Sequence, residues 1–392
     1  MKKISISILG STGSIGKTLF KILKKNKKLF KIQLLTTNTN YKEVIKQAKI
    51  FDVNNIIIND KKIYHKIICD RRYDKLNIYN NYKSYKKIFK NKVDYTMSSI
   101  SGLEGLKPTL EILKYTKNIA IANKESIICG WSFIKKKIKK YNVNFIPVDS
   151  EHFSIWFALK NFNISLIKKI YLTASGGPFL SLSHSKLSKV KISDAIKHPN
   201  WSMGKKISID SSTMMNKVFE IIEAKKIFEL EYSNLSILIH PKSYIHSIII
   251  FKNGMIKIIA HNTSMSIPIR NSLNEIKNLN LYNSKVSTNL NIEKLNHLKL
   301  TEVNTKQFPI VNILNQLPKE DSLFETIIVS ANDELVKLYL QGTIKFVQIN
   351  QILLHFLKSK KNLMYKKIRP KNINEVITLS KDVRLNLHKK YI

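Results

Sequence analysis

Apolar segments rich in β-branched residues alternate with amphipathic segments through the first part of the chain. The β-branched segments predict strands at residues 5–9, 31–36, 55–58, 93–98, 118–122 and 143–148. Apolar residues at helical spacing predict intervening helices at 19–28 and 41–49. Because strands that alternate with helices are typical of parallel sheets, this part of the chain predicts a doubly wound α/β fold.

The pattern changes at about residue 150. Strands are predicted at 169–173, 207–210 and 235–239, and two more, at 247–252 and 255–260, flank Asn253-Gly254. Asn-Gly between two apolar runs is a strong signal of a β-hairpin, so this middle part predicts an α+β domain. Residues 275–300 lack a clear period and indicate a connector, whereas 301–392 predict helices, above all at 321–341 and 347–358.

The composition is that of a folded globular protein. The chain has 392 residues, of which 43% are hydrophobic, enough for about two or three domains with sizeable cores. The longest apolar runs are too short to cross a bilayer, and the run at residues 4–9 continues into Gly10 without a cleavage site typical of a signal peptide. Cys69 and Cys129 form neither a disulfide framework nor a zinc motif, so we expect a cytoplasmic location.

The net charge of +40, from 67 basic and 27 acidic residues, has two interpretations. A charge of this size is typical of nucleic-acid or membrane-surface binding. However, the basic residues are nearly all lysines, dispersed among many asparagines and isoleucines, which favours compositional drift over a localised binding patch. We therefore expect no specific nucleic-acid partner and no membrane association, although the charge would help to attract an anionic, phosphorylated substrate.

A glycine-rich loop follows the first predicted strand. Gly10, Gly13 and Gly16 form the pattern GxxGxxG at the start of a helix, where glycines let the backbone approach a pyrophosphate. A tight turn without a ligand is the alternative. Residues 36–40, after the second strand, contain no acid for the ribose 2′-hydroxyl of NAD, which favours NADP, with Lys42 as a possible partner of its 2′-phosphate.

Two carboxylates, Asp149 and Glu151, follow the sixth predicted strand. Residues two apart in a strand point to the same side, so the pair would lie together at the end of the sheet. By itself, such a pair of carboxylates usually belongs to an ordinary turn exposed to solvent. Together with Glu220, it becomes an all-oxygen set suited to Mg²⁺ or Mn²⁺, whereas His152 suits so hard a metal poorly and is expected to be structural.

The segment 198–223 carries the strongest chemical signal. If 213–229 is helical, Asn216, Glu220 and Glu223 lie on one face, and Ser211 and Ser212 take the N-cap position. Hydroxyls, free backbone N–H groups and a lysine at a helix start suit an anion, and a carboxylate one turn later suits a cation. The segment therefore predicts a metal-assisted reaction of a phosphorylated substrate.

Two further polar loops follow predicted strands. Ser175 precedes Gly-Gly-Pro and could offer its hydroxyl and nearby N–H groups to a phosphate, or belong to an ordinary turn. Lys124 could reach a metal-bound substrate or the carboxylates, or pair with Glu125 at the surface.

Together these segments resemble the 1-deoxy-D-xylulose 5-phosphate reductoisomerase family. Matching strings keep order and spacing over roughly the first 270 residues. They are GSTGSIG at 10–16, ANKES at 122–126, PVDSEH at 147–152, SGGPF at 175–179, HPNWSMGKKIS at 198–208, DSSTMMNK at 210–217, IEA at 222–224 and IHP at 239–241. The C-terminal part matches more loosely, through Ala331-Asn-Asp-Glu334.

The resemblance implies an enzyme that converts 1-deoxy-D-xylulose 5-phosphate to 2-C-methyl-D-erythritol 4-phosphate in non-mevalonate isoprenoid synthesis. The implied chemistry is an intramolecular rearrangement, by retro-aldol and aldol steps, followed by reduction with a hydride from NADPH. A divalent metal, Mg²⁺ or Mn²⁺, is implied as cofactor, and a homodimer as the assembly. An ordinary dehydrogenase would explain only the glycine loop, and a basic RNA-binding protein only the charge.

The resemblance also implies roles for individual residues. The metal ligands would be Asp149, Glu151 and Glu220, and the phosphate ligands Ser175, Ser211, Asn216 and Lys217. Residues 198–203 would form a flap in which His198 contacts the substrate and Trp201 and Met203 close over it. Lys124 and Ser150 would contact substrate oxygens, as would Glu220, and the catalytic groups would be Lys124, Glu151 and His198. NADPH contacts are implied for Gly10, Ser11, Thr12, Gly13, Ser14, Ile15, Gly16, Asn38, Asn40, Asn123, Lys124, Glu125 and Gly204.

The pattern and the resemblance together predict four segments. Residues 1–149 would form an NADPH-binding, Rossmann-like domain with a doubly wound parallel sheet. Residues 150–274 would form a catalytic α+β domain with the flap and the metal site, residues 275–300 a linker, and residues 301–392 a C-terminal helical domain.

Overall fold

A computed structural model describes residues 2–277, 279, 281 and 292–391 of the chain. The chain divides into two compact units. The first contains Met1–Ser126, Ser132–Phe153 and Met265–Thr288, and the second contains Ile127–Trp131, Ser154–Ser264 and Asn289–Ile392. The division into four segments stays a prediction, and much of the predicted linker lies outside the described residues.

The first unit is built on a seven-stranded sheet in which every neighbouring pair is parallel. Its strands are β1 (Ile4–Leu9), β2 (Phe30–Thr37), β3 (Asn55–Ile58), β4 (Asn77–Tyr79), β5 (Val93–Ser98), β6 (Thr116–Ile121) and β7 (Asn144–Pro147). The order β4-β3-β2-β1-β5-β6-β7 reverses direction at β1. Ligands of such sheets bind beyond the carboxyl ends of the strands at this reversal, which here means the loops after β1 and β5.

The second unit contains a five-stranded mixed sheet in the order β11-β10-β8-β9-β12. Its strands are β8 (Ile167–Ala174), β9 (Leu235–Ile239), β10 (Ile245–Phe251), β11 (Ile256–Ala260) and β12 (Thr301–Glu302). The pair β8–β9 is parallel and the other pairs are antiparallel. The predicted hairpin is confirmed as β10–β11, where Gly254 turns with a φ of 86° that favours glycine.

Helices surround both sheets. In chain order they are α1 (Ser14–Lys25), α2 (Tyr41–Phe51), α3 (Lys61–Ile68), α4 (Tyr85–Ile88), α5 (Leu106–Ile112), α6 (Lys124–Tyr141), α7 (Ser150–Ala158), α8 (His184–Leu187), α9 (Ile192–Ala195), α10 (Lys205–Ser212), α11 (Met215–Phe228), α12 (Ser266–Lys277), α13 (Ile292–Asn296), α14 (Leu323–Leu340), α15 (Phe346–Leu357), α16 (Lys360–Met364) and α17 (Ile373–Tyr391). The predicted fold class is confirmed: a parallel α/β sheet, then an α+β part, then C-terminal helices.

One predicted strand is wrong. Residues 207–210 belong to helix α10, not to a strand. Alternation of isoleucine with polar residues suggested a strand, but Asp210 is buried and accepts a hydrogen bond from Asn332 of α14 at 2.8 Å. Hydroxyls that bond back to carbonyls four residues earlier, Ser208 to Gly204 and Ser212 to Ser208, fit this helix. Tertiary contacts here outweigh the local pattern.

Helix α12 packs with the first unit rather than with the residues before it in the chain. It lies against α1, and its Ser272 hydroxyl forms a 2.8 Å hydrogen bond with the buried phenol of Tyr95 in β5. Residues 265–274, which the sequence assigned to the catalytic domain, therefore belong to the core of the parallel sheet, because Ile269 and Leu273 are fully buried there. Within the described part of the chain, every helix is too short or too polar to span a membrane.

Candidate active site

The glycine loop joins β1 to α1 at the point where the strand order reverses. Gly10 has a φ of 79°, and a Cβ added to Gly16 would stand 2.4 Å from the Gly10 carbonyl oxygen. Only glycine permits both the left-handed turn and this close packing. No side chain caps the start of α1 at Gly13, so no capping side chain competes with an anion for the first N–H groups of this helix.

The end of β2 holds this loop in place. The Thr36 hydroxyl accepts a 2.8 Å hydrogen bond from the Gly10 amide, and the hydroxyls of Thr12 and Thr37 lie 2.8 Å apart. Asn40 caps helix α2, with its side chain accepting from the Glu43 amide at 3.3 Å. The threonines are therefore structural supports of the loop, a role that the sequence pattern did not indicate.

Asn123 is the N-cap of α6 and ties two loops together. Its side-chain oxygen accepts from the Ser126 amide at 2.7 Å, and its side-chain nitrogen donates to the carbonyls of Ile100 and Gly102. The side chain is therefore occupied by the protein's own backbone. A contact of Asn123 with the predicted cofactor would therefore have to come from its backbone.

Lys124 is buried at the first position of α6, and its ammonium lies 3.3 Å from Asp149 Oδ2. The alternative of a surface ion pair with Glu125 is therefore wrong, because the side chain of Lys124 is only 7% exposed. The parallel sheet explains the meeting: Lys124 follows β6 and Asp149 follows β7, and neighbouring parallel strands end at the same edge.

The geometry expected for Asp149 and Glu151 is wrong in one respect. Strand β7 ends at Pro147 and α7 begins at Ser150, so the two carboxylates occupy a strand-to-helix turn and not one side of a strand. Asp149 Oδ1 accepts from the Glu151 amide at 3.3 Å and lies 3.0 Å from Nδ1 of the buried His152. Glu151 Oε2 accepts a 2.6 Å hydrogen bond from the Ser150 hydroxyl.

In the second unit, the N-cap predicted at Ser211 and Ser212 is also wrong. Both serines are the last residues of α10, and α11 starts after Met214, whose φ of 66° is left-handed. The serines therefore lie at a sharp junction between two helices. The hydroxyl of Ser212 donates to the carbonyls of Ser208 and Ala195. Of the two serines, Ser211 is therefore the one whose hydroxyl can bind the predicted phosphate.

The first two turns of α11 bury an ion pair. Lys217 donates to Glu220 Oε2 and Asn216 donates to Glu220 Oε1, and Lys217 and Glu220 are only 4% and 2% exposed. Glu223, one turn further on, is equally buried. A buried carboxylate needs cations or hydrogen-bond donors around it, and this helix supplies both kinds.

The loop after β8 lies against this junction. A Cβ added to Gly177 would stand 2.8 Å from the Cα of Ser212, so the loop packs backbone to backbone on the end of α10. The Ser175 hydroxyl accepts from the Gly177 amide at 3.1 Å and lies 2.9 Å from His198 Nε2. Burial lowers the pKa of His198 to about 4, so the ring is neutral near pH 7.

The predicted flap is anchored at two points. Asn200 donates through its side chain to the Pro241 carbonyl at 2.5 Å and the Ser243 hydroxyl at 3.2 Å. The Trp201 ring lies edge-on to His246 at 6.0 Å, and His246 stacks on His261 at 3.7 Å. Sequence reasoning missed Asn200, whose only signal was its place between His198 and Trp201. Met203 is half-buried, and Gly204 precedes α10 with open space around its Cα.

Each unit thus assembles part of the predicted site. The first brings together Lys124, Asp149, Ser150 and Glu151 beside the edge that carries the glycine loop. The second brings the Ser175 loop against the junction that carries Ser211 and continues into Asn216, Lys217 and Glu220.

Three family models match the chain. A 1-deoxy-D-xylulose 5-phosphate reductoisomerase model matches residues 6–130, and the C-terminal domain model of that enzyme matches residues 145–228. A DXP reductoisomerase C-terminal domain model matches residues 261–386. The chain belongs to the 1-deoxy-D-xylulose 5-phosphate reductoisomerase family. The predicted resemblance is therefore confirmed over almost the whole chain, including the part after residue 270 where the sequence motifs were weaker.

Relatives and solved structures of this reductoisomerase family agree. The chain is 54% identical to the Pelagibacter ubique enzyme over 391 residues, covering 99% of both chains, and 34% identical to the Clostridium acetobutylicum enzyme, covering 89% and 90%. It resembles the Zymomonas mobilis reductoisomerase in complex with NADPH (TM-score 0.84, 27% identity, 98% of each chain). It also resembles a DOX-P reductoisomerase in complex with NADPH, fosmidomycin and magnesium (TM-score 0.89, 27% identity, 99% and 98%).

Proposed function

We propose that the protein catalyses the NADPH- and metal-dependent conversion of 1-deoxy-D-xylulose 5-phosphate to 2-C-methyl-D-erythritol 4-phosphate. The observation that carries this proposal is the agreement over full length with the reductoisomerase family, at 54% identity to one relative. Structures of relatives with NADPH and with magnesium supply the two cofactors. The reaction would be an oxidoreductase reaction preceded by a carbon-skeleton rearrangement.

The fit to NADPH rests on the glycine loop. Its close packing at Gly16 and the uncapped start of α1 leave a backbone surface on which a pyrophosphate can lie. Residues 36–40 present no carboxylate to repel a 2′-phosphate. We propose that the cofactor is held by residues 10–16 together with Asn38, Asn40, Asn123, Lys124, Glu125 and Gly204.

For the substrate phosphate we propose Ser175, Ser211, Asn216 and Lys217. Within the second unit, Gly177 packs on the end of α10. Helix α11, which carries Asn216 and Lys217, starts after two intervening residues. Hydroxyl, amide and ammonium groups are the donors that a phosphate requires. Two further predicted substrate contacts, Trp201 and Met203, would cover the bound sugar and exclude water.

For the metal we propose Asp149, Glu151 and Glu220 as ligands. These are carboxylate oxygens, the hard ligands that Mg²⁺ and Mn²⁺ prefer. The surroundings of each ligand support the proposal, because Lys124 lies beside Asp149 and Lys217 beside Glu220. These ion pairs show that both carboxylates lie where a positive charge is already stabilised.

When bound, the metal would supply a positive charge that polarises a carbonyl group, and NADPH would supply a hydride. The residues of the chain would orient the substrate and move protons. Lys124 and Ser150 would hold its oxygens, and either Glu151 or a water at the site would accept the proton of a hydroxyl as a carbon–carbon bond breaks. The imidazole of His198, which is neutral near pH 7, would donate a hydrogen bond rather than a proton. Binding of the phosphate, remote from the reacting carbons, would fix the orientation.

We propose a homodimer as the assembly. Strand β11 is an edge of the second sheet, and its Ile256 and Ile258 are more than half exposed. An exposed apolar edge is a template for pairing with a second chain, so this surface supports the proposal. We also propose that the protein works in the cytoplasm, where the thiols of Cys69 and Cys129, both free, would remain reduced.

One assay tests the proposed reaction. The protein is mixed with 1-deoxy-D-xylulose 5-phosphate, Mg²⁺ or Mn²⁺ and NADPH, and absorbance at the nicotinamide band is followed. We expect oxidation of NADPH that requires both the sugar phosphate and the metal. Folded protein that oxidises no NADPH would overturn the proposal. Oxidation of NADPH with simple keto acids but not with this sugar phosphate would instead indicate an ordinary dehydrogenase. Salt-sensitive retention of RNA without turnover would indicate an RNA-binding protein.

A further inference from the structure

Helix α10 connects the flap to the phosphate-binding residues. Its first residue, Lys205, follows the flap and Gly204, and its last two residues are Ser211 and Ser212. The loop that carries Ser175 rests on this end of the helix. Because Met214 turns the chain sharply into α11, the direction of α10 decides where Ser211 stands relative to the first turn of α11.

A network of charged side chains fixes that direction. Lys206 lies 2.8 Å from Asp210 Oδ2, on its own helix, and 3.0 Å from Asp333 Oδ1, on α14. Asp210 Oδ1 accepts from Asn332 at 2.8 Å, and Asp333 Oδ2 lies 2.9 Å from Arg384 of α17. The loosely matching sequence Ala331-Asn-Asp-Glu334 thus has a structural role: its two central residues hold α10.

Lys206 is the centre of this network. Its ammonium bridges two carboxylates that are 1% and 9% exposed, and it lies 5.1 Å from the ring centre of Phe219 in α11. One side chain therefore contacts α10, α11 and α14. Without the positive charge of Lys206, the negative charges of Asp210 and Asp333 would lie in a buried site with one cation fewer to neutralise them. Like charges in such a site repel each other, which is unfavourable.

We infer that Lys206 is a positioning residue, which sets the junction of α10 and α11 so that Ser211 and Lys217 meet the substrate phosphate. The inference rests on the proposed function, since it concerns the phosphate site of that reaction. Lys206 does not touch substrate in this role. It acts through the helix direction, so its loss should weaken binding of the sugar phosphate more than binding of NADPH.

A second lysine provides a matched control. Lys226, at the other end of α11, is equally part of an ion cluster, paired with Glu325 at 3.0 Å and with Asp321. Removal of Lys226 also takes a cation away from two carboxylates, those of Asp321 and Glu325. This change lies near the C-terminal end of α11, whereas the junction with α10 lies at its N-terminal end. A purely structural role for Lys206 predicts that Lys206→Met and Lys226→Met behave alike. A positioning role predicts that they differ.

The kinetic test compares Lys206→Met, Lys206→Arg and Lys226→Met with the wild type. We expect Lys206→Met to raise KM for the sugar phosphate about tenfold or more, with KM for NADPH changed less than about twofold. Lys206→Arg, which keeps the charge, should have a KM for the sugar phosphate close to the wild-type value. Lys226→Met should lower the thermal midpoint while KM for the sugar phosphate stays near the wild-type value.

Hydrogen–deuterium exchange supplies a readout that does not depend on activity. In Lys206→Met we expect faster exchange of the amides of residues 205–217 and unchanged exchange in β8, whereas Lys226→Met should spare 205–217. Unchanged exchange there, unchanged KM, or an equal rise of KM in Lys226→Met would each overturn the inference. If the wild type fails to turn over the sugar phosphate, the proposed function fails, and the exchange data alone then decide whether Lys206 fixes the junction.

Discussion

The imidazole of His198 donates a hydrogen bond from Nε2 to the hydroxyl of Ser175, 2.9 Å away. The direction follows from the other ring nitrogen, because Nδ1 accepts from the backbone amides of Asn200 and Trp201, both at 3.1 Å. The proton of the neutral ring must therefore be on Nε2. Since the Ser175 oxygen also accepts from Gly177, neither of these two hydrogen bonds uses its own proton, which can be donated to a phosphate oxygen.

This arrangement predicts how His198 titrates. Burial lowers its pKa from 6.5 to about 4, so the unfolded chain binds a proton in this interval and the folded chain does not. The contribution to stability is complete above about pH 6.5 and is lost as the pH falls through 4. We expect the thermal midpoint of the wild type to fall between pH 7 and pH 5 by more than that of His198→Gln. Equal falls in both proteins would contradict the lowered pKa of His198.

The metal site predicts a selective loss in Glu220→Gln. The amide keeps the size of the side chain but removes the charge that binds a cation, so we expect turnover to fall by about 100-fold or more. Binding of NADPH, followed by quenching of tryptophan fluorescence, should stay close to the wild-type value. Glu229→Gln, an exposed position at the end of the same helix, is the control and should retain full activity. Full activity in Glu220→Gln would remove this residue from the metal site.

The glycine loop predicts a loss of stability and of cofactor binding in Gly16→Ala. The added methyl group would stand 2.4 Å from the Gly10 carbonyl and 2.6 Å from the Ser11 Cα, so the backbone must move, at a cost of about 1–3 kcal/mol. We expect a lower thermal midpoint and a higher dissociation constant for NADPH in calorimetry. For stability, Gly204→Ala is the comparison, because nothing lies within 4 Å of its added methyl group. A midpoint as high as that of the wild type in Gly16→Ala would show that the loop tolerates a side chain.

The exposed edge of the second sheet predicts a change of assembly in Ile258→Lys. A charge on β11 opposes the pairing of edge strands, so we expect the wild type to sediment as a dimer and the variant as a monomer in analytical ultracentrifugation. Ile68→Lys replaces an isoleucine of the first unit that is similarly exposed and should leave the dimer intact. A wild type that sediments as a monomer would contradict the proposed assembly.

The sequence by itself determined much of this protein. Strands at 55–58 and 93–98, the glycine loop and the Asn-Gly hairpin followed from local rules, because alternation, glycine and turn residues act over a few positions. The candidate residues also followed from sequence, since several motifs in fixed order identify a family even when each motif alone is weak.

Only the tertiary structure decided the rest. Residues 207–210 form a helix because the buried carboxylate of Asp210 binds Asn332, more than a hundred positions later. The turn at Asp149, the closeness of Lys124 to it, and the attachment of α12 to the first unit likewise depend on partners remote in the chain. Local patterns carry no information about such partners. A buried polar group left without its partner costs about 1–3 kcal/mol, whereas strand propensity spans only about 1 kcal/mol.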